Sequence, residues 1–509
     1  MKKATLILMI LAITSKIIGF GREIVLSYYY GASNVSDAFL ISLTIPTVIF
    51  AFIGVAIKTT FMPMYSRIKN EKGIVEADHF TSNVINILIF FSLIIVIIVL
   101  LFSEQVVKLF ASGFDGETLE MAVYFTKITI FAIFFMGIIY VSEGYLQLKN
   151  RFAVPALVGL PMSLILIITI FLSTRLGHGI LAYGKIVAVI AQLCLIVPFM
   201  FIVGYRHSFV ANIRDNDIRK VFNLALPVAA GTSVNQINKL VDRTIASQIA
   251  VGGISALNYA SRLNSFIQSI FIMSVVTVLY ASISKMEVNN DMVKFKKSIT
   301  SSINGIIILV LPVVFGSMIF SREIVTLLFA RGAFDSKALE MTSSALFFYS
   351  IGILGFGLRE VLARGFYALQ DTKTPMINAS IGMTLNIILN LILSRYLGIG
   401  GLALATSVAA IFTTGLMFIS LRKKIGGIGM KNTISIFLKI VVASSLMGVI
   451  AKLSFNKFTI LFSQNVSLLI AICVGASTFF LIVSFMKIDD IDVIKNIIKK
   501  KIRKVIVKP

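Results

Sequence analysis

Apolar stretches long enough to cross a bilayer follow one another along nearly the whole chain, and this recurrence limits the fold more than any other sequence feature. A membrane-crossing helix needs about 20 mostly apolar residues. Spans can be placed near 5–30, 38–64, 82–104, 121–147, 154–173, 179–204, 221–250, 255–283, 298–320, 341–369, 375–394, 398–420, 434–453 and 465–486, fourteen in all. Of the 509 residues, 57% are hydrophobic and 14% charged, with mean hydropathy +0.95. Soluble domains carry about 45–50% apolar and about 25% charged residues, so a string of soluble domains is excluded. The expected fold class is an all-α polytopic membrane protein. Met1-Lys2-Lys3 before an apolar run imitates a signal peptide, but the run continues past Lys16 to Tyr30 with no small-residue cleavage site, so it is taken as the first span.

The formal charge of +24 would suggest nucleic acid in a soluble chain. In a membrane protein, cations mark the cytoplasmic loops. With the N-terminus inside, Lys and Arg favour the inner segments over the outer ones by about fourfold. Both termini are therefore expected in the cytoplasm, the charge is expected to serve topology and attraction to anionic lipid, and no nucleic-acid partner is expected. The tail 488–509 (IDDIDVIKNIIKKKIRKVIVKP) reads as a basic amphipathic helix on the inner leaflet.

The chain also repeats itself. Residues 109–121 (LFASGFDGETLEM) resemble 328–341 (LFARGAFDSKALEM), and Gly144-Tyr-Leu before Pro155 resembles Gly365-Phe-Tyr before Pro375. An even number of spans separates the copies, so both point the same way. Two parallel six-helix repeats follow: a first lobe over 1–204, a cytoplasmic linker over 205–220, and a second lobe over 221–420. Two extra helices over 434–486 and the tail complete the chain. Transporters built from repeats place the substrate site between the halves and alternate access by rocking.

Several charges lie inside the spans, where each costs about 2.5–3.5 kcal/mol on insertion scales. The first span holds Lys16, Arg22 and Glu23, and the second holds Asp37 at its outer edge and Lys58 within. The seventh carries a polar stripe of Asn235, Asn238, Lys239 and Asp242, with Arg243 beside it, and the eighth adds Arg262. Such groups either line a wet cavity or are snorkelling and ion-paired side chains. The cavity reading is favoured for Arg22, Lys239, Arg243 and Arg262, and the interfacial one for Lys127, Lys185, Lys439 and Arg364. Spans 1, 2, 7 and 8 open the two repeats, so their charges can converge. Cations exceed carboxylates among them, which suggests an anionic, phosphate-bearing substrate.

Other chemistry is sparse. His79, His178 and His207 are far apart along the chain, and no G-x-x-x-x-G-K-[ST] run is present. Asp215-Asn-Asp217 and Asp490-Ile-Asp492 have the form of a metal-binding D-x-D but sit in basic loops and read as solvated surface. Cys194 and Cys473, inside apolar runs, read as packing residues. An enzyme is not expected, and neither is a cofactor.

These residues resemble the MurJ (MviN) family of lipid II flippases, in the multidrug/oligosaccharidyl-lipid/polysaccharide exporter superfamily. Residues 15–23 (SKIIGFGRE) are similar to the family's S-R-x-L-G-F-x-R-D, and 30–39 (YGASNVSDAF) to its F-G-A-G-x-x-x-D-A-F. The most specific match lies in 328–375, with RGAFD at 331–335, VLARGFY at 361–367 and DTKTP at 371–375. The resemblance implies a bacterial inner-membrane transporter that carries undecaprenyl-diphosphate-linked precursor from the inner to the outer leaflet. It further implies a groove for the lipid tail at spans 13 and 14, and a monomer is expected.

The family's first-helix Arg-Asp pair falls on Arg22-Glu23, its preceding Arg on Lys16 and its helix-8 Arg on Arg262. Its sodium site falls on Asp242, Asn386, Asn390, Leu402 and Thr406, where Asn390 replaces the usual Asp. Asn386 and Asn390 share a helix face, which suits either a hard cation or interhelical hydrogen bonding. Where the family has L-P-N-L-L-R-R-x-F-A-E-G-A-F, residues 45–57 read IPTVIFAFIGVAI, without the arginine or the Glu, and Lys58 lies about two turns beyond the missing arginine. Two rival readings are a flippase for another polyprenyl-linked oligosaccharide and a multidrug exporter. The latter would need carboxylates for cationic drugs.

Overall fold

The computed structural model describes residues 2–283, 292–427 and 429–486, and among them all regular structure is helical. The basic tail expected over 488–509 and Asp490-Ile-Asp492 lie outside the described residues. The chain begins with α1 (Lys2–Tyr30), α2 (Asn34–Lys72), α3 (Ile74–Leu101), α4 (Ser103–Phe110), α5 (Gly116–Thr129) and α6 (Ala132–Leu148). It continues with α7 (Ala153–Leu157), α8 (Gly159–Leu176), α9 (Gly179–Ile202), α10 (Asn216–Ile249), α11 (Gly253–Ile283) and α12 (Met292–Ile319). The last five are α13 (Ser321–Phe329), α14 (Ser336–Ala368), α15 (Lys373–Ile425), α16 (Met430–Phe458) and α17 (Gln464–Phe485).

Every expected span falls on a helix. Nine of the described helices are long and apolar enough to cross a membrane, and α5 with α6, bent by 47°, makes a tenth. Helix α15 runs for 53 residues but breaks at Gly398 (φ 55°, ψ −133°), which separates the two spans expected there. Helices α1, α10 and α11 have the length to cross at 1.5 Å per residue. Of these, α10 is the least apolar, because Asn235, Gln236, Asn238, Lys239, Asp242 and Arg243 crowd its second half.

Proline in a span removes a backbone donor and orphans the carbonyl four residues earlier. Pro46 lies inside α2, so the carbonyl of Ser42 loses its helical partner, and the Thr129 hydroxyl at the end of α5 donates to it at 2.8 Å. Hydrocarbon offers no water for the task, so a neighbouring hydroxyl must supply it.

The duplication is visible in the backbone. Asn150 after α6 and Gln370 after α14 both take a left-handed conformation, at φ 58° and 56°, each five residues before its proline. Arg151 N donates to Leu146 O at 2.8 Å and Asn150 N to Gln147 O at 3.0 Å; Asp371 N to Phe366 O at 2.9 Å and Gln370 N to Tyr367 O at 3.0 Å repeat the pattern. These are the paired hydrogen bonds of a Schellman cap, built twice at corresponding places. The short helices α4 and α13 likewise follow α3 and α12 and lead into the two repeated runs.

Packing divides the chain into two compact units, 1–256 with 329–338, and 257–328 with 339–509. This division does not follow the repeat boundary expected over 205–220, because α10 packs lengthwise against α2 in the first unit. The first unit's core joins α2, α3, α6 and α9 around Phe61, Tyr65, Leu88 and Tyr145. The second unit's core joins α11, α12, α14, α15, α16 and α17 around Ile303, Val310, Phe366 and Ile440. Lys452 of α16 pairs with Glu323 of α13 at 2.6 Å and lies 5.3 and 5.1 Å from the rings of Phe320 and Phe455. Cys194 and Cys473 are exposed on apolar helices, so they face outward and are not the packing residues expected.

Candidate functional site

In the first unit, Arg22 and Glu23 of α1 form an ion pair, with Glu23 buried and Arg22 half-buried. Glu23 is enclosed, so the Arg22 guanidinium compensates the desolvation of its carboxylate. Lys185 of α9 is 4% exposed and within electrostatic reach of Arg22. It therefore does not snorkel, contrary to the expectation from its position, and it adds a second cation to Arg22's surroundings. Burial was the missing signal, since hydropathy along α9 cannot say which face of the helix is covered. Lys439 donates to Met486 O at 3.1 Å, just beyond the end of α17. Lys16 lies on an exposed face of α1, and the Lys58 side chain lies outside the described residues.

Asp37 has a defined task. It is 1% exposed, and Gly252 N and Ser255 N donate to its two oxygens at 2.9 and 2.8 Å, with Ser255 Oγ at 2.5 Å. These donors open α11, so the carboxylate caps that helix's N-terminus. Asp37 thereby ties the start of α2 to the turn between α10 and α11.

The same end of the unit carries further ties between the repeats. Arg243 Nη1 donates to Leu40 O at 3.2 Å, Thr244 Oγ1 to Leu109 O at 2.9 Å, and Gly113 N to Ser247 Oγ at 3.0 Å. Ala333 N donates to Tyr28 O at 2.8 Å. Gly31 and Gly332, both with positive φ, make this approach possible, because a Cβ on Gly31 would sit 2.3 Å from Ala333 O and one on Gly332 2.2 Å from Tyr28 O. Both repeated runs, 109–121 and 328–341, thus dock onto elements of the opposite repeat. The sequence showed the duplication but not this pairing, which brings together residues hundreds of positions apart.

On α10, Asn238 Nδ2 reaches Asp242 Oδ2 at 3.4 Å one turn away, and Lys239 is exposed beside them. The side chain of Asn235 lies outside the described residues. Arg262 of α11 belongs to the second unit and is exposed.

The second unit contains the remaining residues of the implied sodium site. Asn390 Nδ2 donates to Asn386 Oδ1 at 3.0 Å, Asn386 Nδ2 to Thr406 Oγ1 at 3.3 Å, and Thr406 Oγ1 to Leu402 O at 3.0 Å. Asn386 and Asn390 are buried. The donor set is oxygen-rich and neutral, which fits a monovalent hard cation by chemistry. The same atoms also close a hydrogen-bond ladder across the break in α15. Among the described residues, no group of three or more His, Cys, Asp or Glu side chains could hold a metal.

The succession of apolar helices, with charged side chains set among them, defines a multi-pass membrane protein, and its family makes it a transporter rather than an enzyme. The family described as lipid II flippase MurJ matches residues 26–473. The chain belongs to this family. It is 30% identical over 472 residues to the probable lipid II flippase MurJ of Buchnera aphidicola subsp. Baizongia pistaciae (strain Bp), covering 92% of each chain. It is 29% identical over 429 residues to that of Vibrio cholerae, covering 82% of each. A solved structure of lipid II flippase MurJ in an inward closed conformation superposes with a TM-score of 0.83 at 29% identity, covering 94% of this chain and 98% of that one. An inward-facing multidrug resistance transporter of the MATE family shares the fold at a TM-score of 0.66 and 16% identity, over 82% of this chain and 95% of that one.

Proposed function

We propose that this chain is a flippase that moves lipid II, the undecaprenyl-diphosphate-linked peptidoglycan precursor, from the inner to the outer leaflet of the bacterial cytoplasmic membrane. Family membership supports the substrate. The observation that carries the chemistry is the α1 centre, where Arg22 lies beside a buried carboxylate and within electrostatic reach of the buried Lys185. Glu23 balances only one of these two cations, so the site is costly without a further anion and favourable with one. A diphosphate supplies that anion, and arginine can grip it bidentately.

In this mechanism the apolar tail stays in lipid beside α16 and α17, while the headgroup enters a wet cleft. Lys16, Arg22, Lys239, Arg243 and Arg262 hold the diphosphate, with Glu23 orienting Arg22. With both termini cytoplasmic, the ties at Asp37, Gly31 and Gly332 close the outer side, so loading takes place from the inside. Rocking of the lobes then breaks those ties and exposes the headgroup outward. An inside-negative potential favours this step by about 2.3 kcal/mol per charge per 100 mV. Asp242, Asn386, Asn390, Leu402 and Thr406 would hold sodium, which supplies positive charge when bound. The chain acts as a monomer.

The decisive experiment is complementation of a strain depleted of its own lipid II flippase. The native chain restores growth, whereas Arg22→Ala and Arg262→Ala, expressed and folded, do not. Full rescue by both variants would refute the mechanism. The second reading, a flippase for another polyprenyl-linked oligosaccharide, draws on the missing arginine within 45–57. It predicts failure of the native chain in this strain together with translocation of a different lipid-linked saccharide.

A further inference from the structure

The linker between α9 and α10 is irregular over 205–215, yet it is fastened along one face of α3. Asn83 and Asn212 exchange two hydrogen bonds, Asn83 Nδ2 to Asn212 O at 3.2 Å and Asn212 N to Asn83 Oδ1 at 2.8 Å. Asn86 Nδ2 donates to both Ser208 O and Val210 O at 2.9 Å, and Ser208 N donates to Ser82 Oγ at 3.1 Å.

The face of α3 that receives the linker identifies what surrounds it. Residues 86, 90, 93, 97 and 101 follow one another at helical spacing, and beyond Asn86 these are Phe90, Leu93, Ile97 and Leu101, all exposed. This stripe is the membrane-facing side of α3. The linker therefore lies on the lipid side, at the level where the apolar run of α3 begins. Phe209, between the two carbonyls that Asn86 holds, is 96% exposed. Arg206 and Arg214 flank it and are exposed as well.

We infer that this linker is a lipid-docking element that seats Phe209 at the boundary between acyl chains and headgroups, with Arg206 and Arg214 on the phosphates of anionic phospholipid. An amphipathic element with an aromatic tip and flanking cations has the chemistry of an interfacial anchor. The membrane-facing stripe of α3 continues into it without a break. With the orientation proposed above, the leaflet is the cytoplasmic one, whose anionic lipids attract such cations. A free anion would engage the arginines but leave Phe209 in water, whereas a bilayer accommodates both. Docking also gives the inter-repeat linker a fixed point on the first repeat.

The chain contains no tryptophan, so Phe209→Trp in the full-length protein places a single indole at the tip. The variant is reconstituted into vesicles of phosphatidylcholine alone or mixed with phosphatidylglycerol, with and without acyl-brominated lipid. The expected result is blue-shifted emission, quenching by the brominated lipid and protection from aqueous iodide. Quenching should be stronger in the anionic vesicles, and adding Arg206→Gln and Arg214→Gln should remove that difference. Replacing Asn86 by Leu, which suits the lipid-facing stripe but releases the linker, should raise iodide access severalfold. Iodide access without bromolipid quenching would overturn the inference by placing the tip in water. Protection from both quenchers would overturn it in favour of a protein neighbour. Equal quenching in neutral and anionic vesicles would overturn the role of anionic lipid.

Discussion

Thr129 is the last residue of α5 and gives its hydroxyl to Ser42 O in another helix, the carbonyl that Pro46 leaves without a partner. Replacing Thr129 by Val keeps the shape and removes the donor. An unsatisfied buried carbonyl costs about 1–3 kcal/mol, so Thr129→Val should lower the melting temperature in detergent, and Thr129→Ser should restore most of the loss. Equal stability of the Val and Ser variants would show that the hydroxyl is dispensable. The sequence makes Pro46 visible but not Thr129, because the pairing depends on which helix lies alongside. Single-residue roles were read unevenly for the same reason. Arg22 and Glu23 stand out in any apolar span. Asp37 looked like one more edge charge, yet its oxygens cap α11. Lys185 looked able to snorkel but is enclosed.

At the scale of elements, hydropathy and helical periodicity located the helices well, because both act within a single segment. The break inside α15 falls between the spans expected at 375–394 and 398–420, although the backbone conformation of Gly398 that makes it is not written in hydropathy. The turn from α14 to α15 shows how such a break is held. Asp371 accepts from Thr374 N at 3.0 Å and Thr374 Oγ1 at 2.8 Å, and from Lys424 Nζ at 2.7 Å at the far end of α15. Led by the Lys424 hydrogen bond, these donors lower the Asp371 carboxyl from 3.8 to about 2. Because the folded value is depressed, the stabilisation is complete above the ordinary carboxylate value and fades as pH falls through 3.8 towards about 2. Asp371→Asn should therefore melt below the native chain near neutral pH, with the gap closing over that acidic range. The gap should be modest and shrink with salt, as Lys424 is largely exposed. A gap that stays constant down to the acid limit would remove the carboxylate from the explanation.

At the scale of the molecule, the compact units cut across the repeats because the first unit gathers elements of both at one end. That end depends on Asp37 and on the close approach of Gly31 and Gly332. Asp37→Asn weakens the acceptor and should shift the protein towards the form open at this end. The shift can be read after exchanging Cys194 and Cys473 for Ser and placing a cysteine at Ala333, whose labelling by an impermeant maleimide should rise several-fold in the Asp37→Asn background. Unchanged labelling would mean that the end is held shut without Asp37. Duplication was legible in the sequence because two runs look alike. The closure was not, since it rests on contacts between dissimilar segments. Its reach along the chain bears on how the protein is made. The donors to Asp37 lie 215 and 218 positions downstream, so a nascent chain emerging from the ribosome must thread its early helices into the translocon while that carboxylate still has no cap. Biogenesis must hold the first segments near the headgroups until the later ones arrive, and premature burial of the early bundle would trap an acid in oil.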